Sequence, residues 1–233
     1  KKGTQNIAKY HYKWYSRENM KIGIIGSGDV AQSLGNGLVE AGHRVMLGTR
    51  DTSKRELSAW RKKSDKFRSL GSTTEAASFG DIAVLAVAWH AAEDVLAQVR
   101  PQLSGKVVID VTNPLVYHDD AAPTLSVGHT ISAGEIVQQC LPDSHVVKTL
   151  NIVNHTHMVR PKYQEGIPIM FVCGNNDSAK KQAHEILIDL GWVDALDIGS
   201  IEKARVLEPM CLLWVEYGVV RNTWDHAFAV LAK

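Results

Sequence analysis

The sequence predicts an α/β protein with a Rossmann-type, doubly wound and mostly parallel sheet, followed by a small C-terminal α/β extension that ends in a long helix. Two observations lead to this fold class. From Met20 onward, short apolar runs alternate with amphipathic stretches, the pattern of repeated strand–helix units. A glycine-rich turn also joins the first apolar run to the first amphipathic stretch, as in a dinucleotide-binding βαβ unit.

The apolar runs predict seven strands and the amphipathic stretches five helices. The predicted strands are Lys21–Ile25, Arg44–Gly48, Ile82–Ala88, Lys106–Val111, His145–Leu150, Ile167–Cys173 and Trp192–Asp197. The predicted helices are Val30–Ala41, Ser53–Lys63, Ala91–Val99, Ser132–Leu141 and Ser178–Leu190. Apolar residues at helical intervals in Ile201–Leu231 predict a long helix or helix pair, which Pro209 kinks or restarts.

Composition excludes several classes of protein. With 45% hydrophobic and 22% charged residues, the chain is neither collagen-like nor disordered. Its formal charge of +1 gives no basic field that would favour nucleic acid or a membrane surface as a partner. Cys140, Cys173 and Cys211 are far apart in the sequence, which predicts no disulfide framework, no zinc site and a reducing, cytoplasmic location.

The first strand and helix are joined by Gly26–Ala31, which reads G-S-G-D-V-A and fits the pattern G-x-G-x-x-A. In this pattern Gly26 permits the tight turn, Gly28 lets the backbone approach a pyrophosphate, and the small Ala31 allows close helix–strand packing. The N–H groups at the start of the helix then face the phosphates. The loop predicts dinucleotide binding by Gly26, Ser27, Gly28, Asp29 and Val30.

The end of the second strand indicates which dinucleotide is bound. An NAD site would place an acidic residue here, whereas this chain has Thr49 and Arg50, with Lys54 shortly after. A guanidinium can hold a 2′-phosphate through paired hydrogen bonds, so we predict NADP(H). Asp51 argues against this interpretation, and a solvated surface arginine is the alternative.

Six motifs together resemble one family, the coenzyme F(420)-dependent NADP oxidoreductases, also called NADPH-dependent coenzyme F(420) reductases. The motifs are G-S-G-D-V from Gly26, G-H-R-V-M-L-G-T-R from Gly42, A-V-A-W from Ala86, D-V-T-N-P-L from Asp110, V-V-K-T-L-N from Val146 and A-R-V-L-E-P-M from Ala204. The resemblance extends over residues 20–216. It implies an NADP(H) cofactor with a deazaflavin co-substrate, although ferric-reductase domains with a similar cofactor half bind a flavin.

This resemblance also implies site residues at the ends of later strands. Val87, Ala88 and Trp89 would lie beside the nicotinamide, with Asn113 and Pro114 as its wall. Asn151 and Val153 would border the second substrate. His90 follows the predicted strand Ile82–Ala88 at the sheet edge where ligands bind, so it either touches the nicotinamide or the second substrate or is a partly exposed loop histidine. Ala88 replaces a proline of the archaeal enzymes and Asn151 stands where some members have a histidine, so the electron partner stays open.

Hydride transfer between two flat rings depends on their alignment. We therefore predict that no catalytic acid or base is required, with His90 a possible one. Lys148 is either a buried catalytic lysine or the partner of a carbonyl or carboxylate near its strand end. His155 and His157 have no third ligand at a recognisable spacing, so no metal site is predicted.

The predicted function is NADPH-dependent hydride transfer to or from a flat small-molecule redox partner, a deazaflavin or a flavin. A reductase of small imines or carbonyl compounds is the first alternative, and a non-catalytic NADPH sensor is the second.

We predict an N-terminal extension or expression remnant over residues 1–19, an NADP-binding domain over 20–151 and a smaller domain over 152–233. The apolar stripe near the C-terminus belongs to the core, a homodimer face or a pocket wall.

Overall fold

The computed structural model describes residues 19–63, 66–119 and 121–231. Apart from Asn19, the predicted N-terminal extension lies outside these residues. The predicted fold class is confirmed, because an eight-stranded, mostly parallel sheet carries helices on both faces.

The described residues form ten strands, eight of them in the central sheet. They are β1 (Lys21–Ile25), β2 (Arg44–Gly48), β3 (Arg68–Gly71), β4 (Ile82–Leu85), β5 (Val107–Asp110), β6 (Leu115–Val116), β7 (Thr124–Leu125), β8 (His145–Lys148), β9 (Met170–Gly174) and β10 (Ala195–Asp197). The order across the sheet is β10-β9-β8-β5-β4-β1-β2-β3, with β6 and β7 as a separate antiparallel pair. Only the β8–β9 pair is antiparallel within the large sheet.

Seven α-helices pack around this sheet. They are α1 (Asp29–Glu40), α2 (Ser58–Lys62), α3 (Thr73–Phe79), α4 (Ala92–Leu103), α5 (Ala133–Cys140), α6 (Asp177–Asp189) and α7 (Ala204–Arg221). Buried residues of α1 and α6 form the core on one face, and those of α4 and α5 form the core on the other. Within the described residues, no helix has the length and apolarity needed to cross a bilayer.

The sheet order determines where ligands can bind. β1 is flanked by β2 on one side and β4 on the other, so the chain leaves β1 in one direction and later returns on its opposite side. A crevice opens at such a reversal, beyond the carboxyl ends of the strands. The ends of β5, β4, β1 and β2 therefore lie side by side along this crevice.

Between residues 53 and 79 one predicted helix differs from the structure and two elements were not predicted. The expected helix Ser53–Lys63 is a 3₁₀ turn, Arg55–Leu57, followed by the short α2. The edge strand β3 and the helix α3 were not predicted, because β3 is short and only half-buried and so lacks an apolar run. The Ser72 side chain and Glu75 form a capping box at the start of α3, a signal that the sequence contained.

The long C-terminal helix is shorter than predicted. α7 continues through Pro209 and ends at Asn222, whose left-handed backbone (φ 48°) turns the chain away from the helix axis. Residues 223–231 then return along α7, where Trp214 stacks on His226 with ring centroids 4.6 Å apart. We call residues 223–231 the C-terminal strap. It also passes by β9, since the Ile169 N–H donates to the Phe228 carbonyl.

A buried charge cluster joins the parts of the chain on either side of residue 151, where the sequence predicted a domain boundary. The Lys148 ammonium lies 2.9 Å from an Asp110 carboxylate oxygen and 3.1 Å from a Glu208 carboxylate oxygen, and all three side chains are at most 1% exposed. Burial alone would lower the pKa of Lys148, but the charges and hydrogen bonds of the two carboxylates raise it above its ordinary value. The expectation that Lys148 pairs with a carboxylate is confirmed.

Replacing Lys148 by methionine leaves Asp110 and Glu208 buried without their common partner. We expect the free energy of unfolding to fall by about 3 to 5 kcal/mol, the cost of breaking a buried ion pair from one side. The measurement is urea unfolding followed by circular dichroism. Glu40→Gln, which removes the exposed ion pair with Arg160, is the control and should cost less than about 1 kcal/mol. Equal losses for the two variants would contradict the prediction.

Candidate functional site

The glycine loop has the backbone geometry that its sequence predicts. Gly26 has φ +133°, and a Cβ atom there would lie 2.2 Å from the Ala86 carbonyl oxygen, so only glycine fits. Its N–H donates to the Gly48 carbonyl, which holds the loop against the end of β2. Ala31 is fully buried in the core beneath α1. The turn between β1 and α1 is therefore tight and fixed on both sides.

The same loop leaves space for an anion. A Cβ atom built on Gly28 would have no atom within 4 Å, so the position opens outward from the start of α1. Gly28 is also the N-cap of α1, and no side chain caps the first N–H groups of that helix. Exposed N–H groups at a helix N-terminus bind phosphate well. The residues present therefore fit the pyrophosphate of a dinucleotide.

The loop after β2 carries the residues predicted to choose NADP. Arg50 is exposed, and Lys54 makes only a 3.8 Å ion pair with Glu56. Thr49 is buried, and its hydroxyl lies 3.2 Å from both backbone groups of Asp51, so it shapes the loop. Arg50 is the residue of this loop best placed to meet a 2′-phosphate.

Two further side chains affect the charge of this loop. The Asp51 carboxylate accepts hydrogen bonds from the Ser53 hydroxyl and N–H, and these lower its pKa. Its negative charge opposes phosphate binding. Arg61 donates from Nη1 to the Thr52 carbonyl and adds a second guanidinium beside the loop. Arg61 lies within the predicted helix Ser53–Lys63, so its sequence position gave no sign of a role in this loop.

The segment after β4 forms a 3₁₀ turn, Trp89–Ala91. Val87 and Trp89 are half-buried and pack against the core below α4, whereas Ala88 and His90 are exposed. This segment follows the strand next to β1, so it lies along the same crevice as the glycine loop.

Asn113 and Asn151 form a reciprocal pair between the ends of β5 and β8. Asn113 donates from Nδ2 to the Asn151 carbonyl at 2.7 Å, and Asn151 donates from Nδ2 to Asn113 Oδ1 at 3.0 Å. Asn151 also donates to the Leu207 carbonyl of α7 at 2.9 Å. Pro114, directly after this pair, is buried. Both asparagines are therefore held in one orientation by the backbone around them.

A cavity of about 710 Å³ lies beside this pair. Its wall is formed by Val30 of α1, by residues after β5 and after β8, and by α7 with the C-terminal strap. Asn113, Asn151 and Val153 all line it, whereas His90 does not. Among the described residues that line the cavity, none is Asp, Glu, Lys or Arg. The space is mostly apolar and of a size that suits a small-molecule ligand.

Aromatic residues give the cavity much of its surface. Trp214 of α7 and Trp224 of the strap both line it, and their ring centroids are 5.5 Å apart. Gly218 allows this contact, because a Cβ atom there would come within 2.6 Å of the Trp224 ring. The sequence showed an apolar stripe that included Trp214. That the strap completes the wall could not be predicted, because it depends on the reversal at Asn222.

His155 also lines the cavity, and the sequence analysis considered it only as a metal ligand with His157. The two histidines have separate partners. His155 Nδ1 lies 3.2 Å from the Ser33 hydroxyl of α1, while His157 Nε2 lies 2.8 Å from Asp225 of the strap. Within the described residues, no group of three metal-ligating side chains is found.

Residues 21–114 match the family described as NADP oxidoreductase, coenzyme F(420)-dependent. The chain is 28% identical over 206 residues to the F(420)-dependent NADP reductase of Methanocaldococcus jannaschii, covering 84% of this chain and 91% of that protein. It is 29% identical over 199 residues to metalloreductase STEAP3 of Rattus norvegicus, covering 84% of this chain. The match spans only 37% of the length of that metalloreductase.

A solved structure from Arthrobacter sp. FB24, described as a candidate F(420)-dependent NADP reductase, has a similar fold. It superposes with a TM-score of 0.82 at 30% sequence identity, over 92% of this chain and the whole of that chain. The similarity therefore extends past the nucleotide-binding half to the elements around the cavity.

Arg50→Ala should weaken NADPH binding selectively. If Arg50 holds the 2′-phosphate, its loss should cost about 1.5 to 3 kcal/mol, the range for a hydrogen bond to a charged group. Titration calorimetry with NADPH and NADH checks this, because NADH affinity should not change. The matched control is Arg100→Ala, which removes an exposed arginine from the last turn of α4. Equal affinity of the unmodified protein for the two nucleotides would refute the assignment.

Gly28→Val should abolish NADPH binding while the protein remains folded. The added side chain would project into the open space where the pyrophosphate is expected. Gly166→Val places the same side chain in open space on a distant loop and serves as the control. Calorimetry gives the affinity and thermal unfolding reports the fold. A folded Gly28→Val variant with unchanged NADPH affinity would show that the loop does not bind the pyrophosphate.

Proposed function

The chain belongs to the family of coenzyme F(420)-dependent NADP oxidoreductases and is an NADP-dependent oxidoreductase. From that premise we propose that it passes hydride between NADPH and a redox partner with a flat ring system. The partner is a deazaflavin such as coenzyme F(420), or a flavin. The observation that carries this proposal is the 710 Å³ cavity, whose apolar and aromatic wall begins at Val30, directly beyond the glycine loop.

The residues around the crevice serve three parts of the nucleotide. The pyrophosphate and the groups next to it are held by Gly26, Ser27, Gly28, Asp29 and Val30. The 2′-phosphate is held by Arg50, with Thr49 and Lys54 in the same loop. Val87, Ala88 and Trp89 lie on one side of the nicotinamide region, and Asn113 and Pro114 on the other. When bound, NADPH supplies a hydride.

The chain's own contribution is to align two rings and exclude water. The Asn113–Asn151 pair fixes the floor between the nucleotide crevice and the cavity, because each amide holds the other and α7 holds Asn151. Trp214 and Trp224 give the cavity an apolar, aromatic wall against which a conjugated ring can pack. Correct placement of two reacting rings can supply much of the rate acceleration.

We also propose that the protein is a homodimer in a reducing, cytoplasmic environment. The proposal of a dimer is supported by an exposed apolar stripe on α7, which includes Val206, Leu213, Tyr217 and Val220. The proposed location is supported by the three cysteines, which are free thiols. Light scattering on purified protein measures the first of these properties directly.

The experiment that tests the proposed function follows NADPH absorbance at 340 nm under anaerobic conditions with one acceptor at a time. The panel contains coenzyme F(420), riboflavin, FMN, a ferric chelate and a small cyclic imine. We expect turnover with at least one of the flat rings and with neither the imine nor the ferric chelate alone. Turnover with the imine alone would establish the imine reductase alternative instead. Tight NADPH binding without any turnover would favour an NADPH sensor.

A further inference from the structure

The cavity contains one side chain whose chemistry the proposed function does not use. His155 belongs to a 3₁₀ turn, His155–His157, that follows β8 and packs against α1. Asn154 caps this turn by accepting hydrogen bonds from the Thr156 N–H and hydroxyl. His157 pairs with Asp225 on the strap. Asn154 therefore holds the start of the turn and the His157–Asp225 pair holds its end, which fixes the position of His155.

The hydrogen bond to Ser33 orients the His155 ring. Ser33 lies one turn along α1 from Val30, so the imidazole is positioned relative to the helix that begins at the glycine loop. When the Ser33 hydroxyl donates to Nδ1, the ring hydrogen is on Nε2. Among the described residues, no partner for Nε2 is found. In that tautomer Nε2 is an N–H donor for whatever occupies the cavity.

Other groups in the wall are poorly suited to this task. Burial raises the pKa of the Cys211 thiol to about 12, and the Tyr117 side chain is 78% exposed at the cavity mouth. Asn151 Nδ2 uses both of its hydrogens on protein oxygens, and Asn113 Nδ2 uses one of its two on the Asn151 carbonyl. His155 differs from these groups because its ring is held by Ser33 and its second nitrogen has no partner among the described residues.

We infer that His155 is a catalytic residue that donates a hydrogen bond from Nε2 to the pyrimidine part of the second ring, where negative charge collects during reduction. This assignment rests on the proposed function. Bound NADPH would supply a hydride with its electron pair and become NADP⁺, and the second ring would accept that hydride, on a ring carbon in a deazaflavin or on a ring nitrogen in a flavin, together with one negative charge. That charge is later neutralised by a proton from water.

The apolar wall makes this hydrogen bond effective. A donor aimed at developing charge contributes more where water is excluded and no neighbouring ion screens it, and removal of one such donor commonly costs about 10²- to 10³-fold in rate. Because the bond is to the charged form, His155 should also bind the reduced ring more tightly than the oxidised ring.

The test compares His155→Leu, His155→Gln and the control His145→Gln, in which an exposed histidine at the start of β8 is replaced. The first readout is the ratio of the dissociation constants of oxidised and dithionite-reduced riboflavin and coenzyme F(420), measured anaerobically by calorimetry. The second is the single-turnover rate of NADPH oxidation by the same acceptors. NADPH affinity and thermal unfolding report whether each variant keeps its nucleotide site and fold.

We expect His155→Leu to lower the ratio about tenfold or more, as for the loss of a hydrogen bond to a charged group, and to slow hydride transfer about 100-fold. His155→Gln retains a donor and should fall between His155→Leu and the unmodified protein, while His145→Gln should match the unmodified protein. If both His155 variants keep the ratio and the rate, this assignment is wrong while the proposed function stands. If the unmodified protein neither binds nor reduces any ring, the proposed function fails and the assignment fails with it.

Discussion

The Lys148 ammonium unites parts of the chain that the sequence places far apart. It binds Asp110 at the end of β5 and Glu208 on α7, and Glu208 in turn accepts hydrogen bonds from the first two N–H groups of α5, Ala133 and Gly134. The carboxylate also benefits from the positive end of that helix. Two strands and two helices therefore meet at one cation, and their relative positions depend on it.

This cluster also determines the shape of the site. Asp110 uses its other oxygen to accept hydrogen bonds from the Thr112 N–H and hydroxyl, which sets the direction of the chain as it enters Asn113. Leu207, next to Glu208, accepts the hydrogen bond of Asn151. A buried ion pair contributes little net stability compared with apolar packing, but it does impose one geometry. Here that geometry aligns the nucleotide crevice with the cavity.

The sequence was most informative where a local pattern has a single physical meaning. The glycine loop, the strands β1 and β2 and the buried pairing of Lys148 could be predicted because each follows from spacing and residue type alone. The strand β3 is too short and polar to give such a pattern. The cavity could not be predicted, since its wall joins Val30, the ends of β5 and β8, α7 and the strap. His155 was considered beside its neighbour in sequence, whereas its partner in space is Ser33.

The strap has a consequence for the order in which the protein can assemble. The strand–turn–helix unit around Gly28 leaves the ribosome early, whereas Trp224 follows only after every strand of the large sheet has been made. Folding during synthesis proceeds from the N-terminal part of a chain. The cavity can therefore acquire its final wall only after the nucleotide-binding half of the chain has been made.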